Sequence, residues 1–449
     1  MSESLPPPSN PTTEAEFREM RDRAREMFEH ALSECSIPRA FSKQVLYDHG
    51  ELRLGNDVYA LGSFSRTLVV SIGKAGHTMA EALANTVGTG LTGIIACPNA
   101  PPAQLFGFRY FLGGHPLPNE ESLRAGDAIL RLLGAPSPRT LVVYLISGGA
   151  SAIAEKPISA GISLADVVET YKALVHSGAP IAKINAIRKH LSALKGGRLA
   201  RVAAPSYQAS VLVSDVPEGA LDALASGPTM PDTTTVADCY AIVNRYRLLK
   251  NFPASVRTLF EREQLEETPK PNDPVFERSR YTTVLSNTTA VNAAVERAAL
   301  AGFAVEVDNR CDDWDYERAA DHLLGRLHEL RRGVSRACLI SGGEVTVKVG
   351  ARLGVGGRNQ QFALYCAQKI AGENITVLSA GTDGIDGNSD AAGAVADGTT
   401  VERAQQRGLD VAAALTHFDA YPMFNAIGDS IMIGPTGNNV RDLRILMAY

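Results

Sequence analysis

Two glycine loops edged by serines are the first candidates for chemistry in this chain. The run Val142-Val143-Tyr144-Leu145-Ile146 breaks into Ser147-Gly148-Gly149-Ala150-Ser151, the pattern of a buried parallel strand that opens into a tight loop. Glycine lets backbone N–H groups approach an anion closely, hydroxyls add donors, and a helix that starts nearby contributes its positive end. The five residues Leu-Ile-Ser-Gly-Gly recur at 339–343, ahead of Glu344. The repeat predicts two loops facing phosphate or carboxylate, one with Ser147, Gly148, Gly149 and Ser151, the other with Ser341, Gly342, Gly343 and Glu344.

Cations with the same setting come next. Thr67–Ile72 reads as a buried strand that delivers Lys74 between Gly73 and Gly76, before a helix marked by Met79, Leu83 and Val87. A lysine there faces the crevice at the carboxyl ends of strands, where open α/β sheets bind ligands. Arg358 leaves a glycine-rich loop, Gly354 to Gly357, at the start of a helix through Ile370. A bare guanidinium opposes the helix dipole there, so an anion is expected beside it. Between Ile184 and Val202 six basic groups alternate with apolar positions, and Lys195-Gly196-Gly197-Arg198 interrupts the helix; that break is a third candidate anion site. His115 follows Gly113-Gly114 and either contacts an anion or bonds to a loop backbone.

Carboxylates complete the set. Asp215 ends the strand Ser210-Val-Leu-Val-Ser and is suited to Mg²⁺ or to a substrate proton. Gly381-Thr382-Asp383-Gly384-Ile385-Asp386 ends another strand, Thr376–Ala380, as a flexible acidic loop fit for a Mg²⁺–phosphate or hydroxyl groups. Its spacing is not that of a calcium loop. The segment around Lys74 is neither a Walker loop nor a Gly-x-Gly-x-x-Gly dinucleotide fingerprint.

The elements that must carry these residues alternate strand and helix, which predicts an α/β protein. With 449 residues, two domains are expected. The stretch Leu265–Arg280, rich in Glu, Pro and Asp, reads as the linker, dividing the chain into 1–275 and 276–449. Tyr281–Ser286 and a helix from Asn287 to Ala301 then open the second domain, and a strand over Val345–Val349 follows the second Ser-Gly-Gly loop. Met1–Thr13 reads as a disordered lead to a helix from Glu14 that packs on the outside. A net charge of −5, from 44 basic and 49 acidic residues, argues against a nucleic-acid binder. Six cysteines without metal-ligand spacing read as reduced core residues, and no apolar stretch is long enough to span a membrane, so a cytoplasmic protein is expected.

Taken together, these blocks resemble the class II glycerate kinases, the glycerate 2-kinase family with a C-terminal MOFRL domain, whose members often carry the label hydroxypyruvate reductase. The resemblance rests on Gly73-Lys74-Ala75, Gly113-Gly114-His115-Pro116, Ser147 to Ser151, Arg188-Lys189-His190-Leu191-Ser192 with Lys195 to Arg198, Ser214-Asp215-Val216 and Ser226-Gly227-Pro228-Thr229. It continues through Ser341 to Glu344, Gly356 to Gln360, Gly381 to Gly384 and Gly434-Pro435-Thr436-Gly437. It implies a Rossmann-like parallel-sheet N-terminal domain, a smaller α/β MOFRL C-terminal domain and an active site in the cleft. It further implies transfer of the γ-phosphoryl of ATP, with Mg²⁺, to the 2-hydroxyl of D-glycerate; neither nucleic acid nor membrane is expected as a partner, and assembly as a homo-oligomer is left open.

On that reading Lys74, Arg358 and Asp215 are catalytic, with Lys74 and Arg358 closing on one anionic reactant. Both Ser-Gly-Gly loops, Lys195-Gly196-Gly197 and Asp383 bind nucleotide or phosphate, and Asp215 and Asp386 take the metal. One departure bears on the metal: Glu218-Gly219-Ala220 replaces the Gly-Asp-Asp common after the Ser-Asp-Val-Pro block. Two other functions remain open, a nicotinamide-dependent hydroxypyruvate reductase and a non-catalytic sugar-acid or phosphate sensor.

Overall fold

A computed structural model describes residues 13–88, 90–348 and 354–449. The chain forms two compact units, one of Ile37–Ser286 and one that joins the N-terminal segment through Ser36 to Asn287–Tyr449. Among the described residues no helix is long and apolar enough to cross a membrane, and all six cysteines are buried and free.

The unit of residues 37–286 opens with a small antiparallel sheet of β1 (Val45–Asp48), β2 (Glu51–Leu54) and β3 (Asp57–Ala60). Its main sheet has β4 (Arg66–Ile72), β5 (Thr92–Cys97), β6 (Phe108–Leu112), β7 (Thr140–Ile146), β8 (Tyr207–Val213) and β9 (Ser279–Leu285), in the order β6-β5-β4-β7-β8-β9. Every neighbouring pair is parallel. Parallel strands are covered on both faces, which is why β7 is an unbroken apolar run with all seven residues buried. From β4 the chain winds outward through β5 to β6, then returns to lay β7 on the other side of β4. The carboxyl ends of β4 and β7 therefore flank a topological switch point, the place where open α/β sheets bind ligands.

In the other unit a mixed sheet holds β10 (Ala304–Val307), β11 (Ala337–Gly342), β12 (Ile375–Gly381), β13 (Gly393–Asp397), β14 (Ser430–Ile431) and β15 (Asp442–Ala448), in the order β10-β11-β15-β12-β13-β14. Only β10 and β11 run parallel. The terminal strand β15 is central and wholly buried, as its sequence Asp-Leu-Arg-Ile-Leu-Met-Ala requires.

Several expectations need correction. The helix Glu14–Glu34, started by a Thr13/Glu16 capping box, buries Phe17, Met20, Ala24, Met27, Phe28 and Ala31. It packs against the helix Asn287–Leu300 and β12 rather than lying outside. The strand expected to open the second domain is β9, the edge of the first sheet, so the division falls after Ser286 and the N-terminal helix goes with the later residues. The supposed linker is tied down: Asp232 N donates to Pro269 O (2.9 Å) and Thr268 Oγ1 to Asp232 Oδ2 (2.9 Å). The strand expected over Val345–Val349 is reduced to an isolated bridge from Thr346 to Asp315, and Val349 lies outside the described residues, as do Met1–Thr12.

Candidate active site

Where β4 and β7 end, their loops are pressed together. Gly73 has φ +131°, and a Cβ there would lie 2.2 Å from Ser147 Oγ, so only glycine fits. Lys74 N donates to Gly148 O (2.9 Å) and Ala75 N to Ser147 Oγ (3.1 Å). Ser147 thus fastens the two loops to each other, while the Lys74 side chain projects to solvent. The same loop meets β8 at Gly148, where a Cβ would fall 2.0 Å from Asp215 Oδ2. On its other flank, a Cβ at Gly149 would lie 2.9 Å from the His115 ring and 3.1 Å from Lys74 Cγ. Ser151 Oγ accepts from Arg188 Nη2 (3.1 Å), and the Arg188 guanidinium lies 4.2 Å over the Tyr171 ring.

One loop thus gathers Lys74, His115, Arg188 and Asp215. Partial burial, reinforced by Lys74 and Arg188, pushes the His115 imidazole below its usual value and favours its neutral form. The arrangement offers two cations, a glycine loop and a carboxylate to a small anion. Gly148→Ala is expected to displace Asp215 and the loop, lowering turnover on the order of 100-fold with the fold intact; steady-state kinetics beside circular dichroism check this.

The break at Lys195-Gly196-Gly197 is not an anion site. Lys195 is almost wholly buried, paired with Glu155 and bonded to Tyr171 Oη (3.2 Å). Burial pushes its ammonium down to about 8. Gly196 N and Gly197 N donate to the carbonyls of Ser226 (2.9 Å) and Gly227 (2.7 Å). The basic face is consumed likewise: Lys189 pairs with Asp222 (2.8 Å) and Asp232 (3.1 Å), and Arg198 with Glu266 (3.5 Å).

Nor is the second Ser-Gly-Gly loop an open cradle. Gly342 N donates to Asn309 Oδ1 (2.7 Å), Gly343 N to Asn287 Oδ1 (2.9 Å) and Glu344 N to Asp312 Oδ1 (3.0 Å). Buried Ser341 points its hydroxyl at Gly342 O (3.4 Å). The anion expected beside Arg358 is protein: Nε donates to Asp442 Oδ2 (2.6 Å), and Nη2 meets Asp442 Oδ1 (3.0 Å) and Glu344 Oε1 (2.8 Å). Asp386, expected to hold metal, is buried against the start of the helix Arg358–Lys369. Its carboxylate accepts from Asn359 N (3.1 Å), Gln360 N (2.9 Å) and both side-chain amides. Burial still pushes it up to about 6, against the pull of those donors. Asp383 Oδ1 accepts from Ile385 N (3.2 Å). Glu344, Arg358, Asp383, Asp386 and Phe418 line a cleft of about 780 Å³ in this unit, a volume usual for a small-molecule site.

The family model described as a domain of unknown function, DUF4147, matches residues 23–261, and the MOFRL family model matches 337–442. The D-glycerate 2-kinase of Thermotoga maritima is 33% identical over 391 residues, covering 85% of this chain and 91% of the relative. A putative hydroxypyruvate reductase of Agrobacterium vitis is 36% identical over 389 residues, covering 85% and 87%. The crystal structure of Thermotoga maritima glycerate kinase superposes with a TM-score of 0.83 at 30% identity, covering 96% of this chain and 100% of that one.

The chain belongs to the DUF4147–MOFRL family of glycerate kinases.

Within that family's blocks, sequence reasoning singled out Lys74, Asp215 and the first Ser-Gly-Gly loop, which the structure brings together, and left His115 undecided. It missed Arg188 by preferring Lys195. The two lie seven positions apart and would share a face of an unbroken helix. The helix ends at His190, and the chain then turns Lys195 inward. The double glycine, whose second residue caps the start of the next helix at Arg198, was the available signal that no single helix runs through.

Proposed function

We propose that this member of the glycerate kinase family phosphorylates D-glycerate at its 2-hydroxyl with ATP, giving 2-phospho-D-glycerate and ADP. The observation that carries the proposal is the convergence of solvent-facing Lys74, Arg188 and Asp215 on the Gly148-Gly149 loop at the switch point. Relatives named glycerate 2-kinase support the choice of acceptor. Phosphoryl transfer asks chiefly for positioning and charge neutralisation. The bond from the γ-phosphorus to the bridging oxygen of ATP breaks as the bond to the 2-oxygen forms. Lys74 offsets charge on the transferring phosphoryl, and Asp215 takes the hydroxyl proton.

Mg²⁺ usually binds through one or two carboxylates together with substrate phosphates and water. Asp215 suits that mode. Asp386 does not, because four N–H donors already occupy its oxygens, and no cluster of three or more candidate ligands occurs among the described residues. When bound, the ion would neutralise phosphate charge. Arg358 stays in the proposal as an anion ligand through Nη1, the guanidinium nitrogen not engaged by Asp442 or Glu344.

The deciding experiment incubates the protein with ATP, Mg²⁺ and D-glycerate and separates 2- from 3-phosphoglycerate, beside a reaction with hydroxypyruvate and NADH but no ATP. The proposal predicts 2-phosphoglycerate and no NADH consumption. NADH loss without phosphoryl transfer would instead support the reductase reading that the name of the Agrobacterium relative carries.

A further inference from the structure

Along the segment from Arg188 to Arg198, three of the four long cations have carboxylate partners: Lys189 with Asp222 and Asp232, Lys195 with Glu155, and Arg198 with Glu266. Arg188 is the exception among the described residues. It is half-buried, its Nη2 donates to Ser151 Oγ (3.1 Å), and its Nε is buried with no hydrogen-bond partner. A guanidinium withdrawn from water without a counter-charge is unfavourable unless a ligand supplies one.

The group is also held rigidly. Its central carbon, Cζ, lies 4.2 Å from the centroid of the Tyr171 ring. The Tyr171 hydroxyl donates to Glu155, which also accepts from Ser192 Oγ (2.6 Å) and pairs with Lys195. The ring and Ser151 together hold the fork, and the buried network beneath holds the ring. A fork so oriented matches a planar carboxylate, whereas Lys74, across the Gly149 turn, is a point charge on a flexible stem. Both cations border the same short loop, Lys74 and His115 against Gly149 and Arg188 on Ser151 two residues on.

We infer that Arg188 is the specificity-determining residue that receives the carboxylate of the acceptor, selecting short 2-hydroxy carboxylates over uncharged polyols, with Tyr171 as its positioning residue. The inference rests on the function proposed above. Geometry apportions the ends of the acceptor: carboxylate to Arg188 and Ser151, hydroxyl carbon toward Lys74 and Asp215.

The test pairs kinetics with calorimetry on the full chain, using wild type, Arg188→Gln, Arg188→Lys and Tyr171→Leu, with D-glycerate and its amide as acceptors. Arg188→Gln is expected to raise KM for D-glycerate about 100-fold and leave KM for ATP within about twofold. The preference for glycerate over the amide should collapse, because the amide never used the charge. Arg188→Lys should restore part of the discrimination, and Tyr171→Leu should raise KM for glycerate without changing that for ATP. Equal losses with both acceptors, or parallel losses for ATP, would assign Arg188 a structural role and overturn the inference. If wild type transfers no phosphoryl group yet binds D-glycerate by calorimetry, and Arg188→Gln does not, the proposed reaction fails while this assignment stands. Equal glycerate binding by wild type and variant, or none by wild type, overturns the assignment itself.

Discussion

Replacing Lys74 with methionine is expected to lower kcat/KM for D-glycerate by about 10³-fold or more, with the melting temperature unchanged. Groups that neutralise a transferring phosphoryl have effects of this order, because they act where charge is concentrated and water is excluded. Stability is spared for a structural reason. The contacts that anchor the loop run through the Lys74 backbone, from its N–H to Gly148 O, and through Ala75 N to Ser147 Oγ. The side chain itself is exposed, and surface substitutions of that kind move stability by only about 0.5 kcal/mol. A variant that loses activity and unfolds early would mean that the ammonium holds the loop rather than the substrate.

The largest effect on stability is expected at Glu155. Both Glu155 and Lys195 are about 1% exposed, so removing either leaves the other charged and buried. Glu155→Leu alone, or Lys195→Met alone, should each destabilise the protein by about 3–5 kcal/mol. The double variant should cost less than the sum of the two, since no stranded charge remains. Urea denaturation of the four proteins completes the cycle; an additive result would show that the pair is not coupled.

Acid offers a second reading of the same pair. Burial alone would raise the Glu155 carboxyl, but Lys195, Ser192 and Tyr171 outweigh it and hold the group below its ordinary value of 4.5. The stability it contributes is therefore present above that value and lost as pH falls beneath it. The double variant should lack this acid-linked loss.

Much of the sheet that carries the site is legible in residue order alone. The apolar runs Thr67–Ile72, Val142–Ile146 and Ser210–Val213 become β4, β7 and β8, and their loops do converge. What residue order does not show is which donors are already spent. The N–H groups of Gly196 and Gly197 go to Ser226 and Gly227, and those of Gly342 and Gly343 to Asn309 and Asn287. These acceptors lie about 30 to 60 positions away, and only tertiary packing decides whether a glycine loop opens onto solvent or onto an asparagine. Arg358 and Asp386 follow the same logic. The helix dipole correctly called for negative charge near Arg358, but Asp442, 84 positions on, supplies it. The boundary after Ser286 was hidden because β9, being half exposed, resembles the start of a new sheet as much as the edge of an old one.

The most direct measurement is a crystal structure of the protein with D-glycerate and a non-hydrolysable ATP analogue. The account predicts the glycerate carboxylate on the Arg188 fork and Ser151 Oγ, with the 2-hydroxyl within hydrogen-bonding distance of Lys74 Nζ or the Asp215 carboxylate. Glycerate bound away from the Gly148-Gly149 loop, with Lys74 and Arg188 left in solvent, would contradict it.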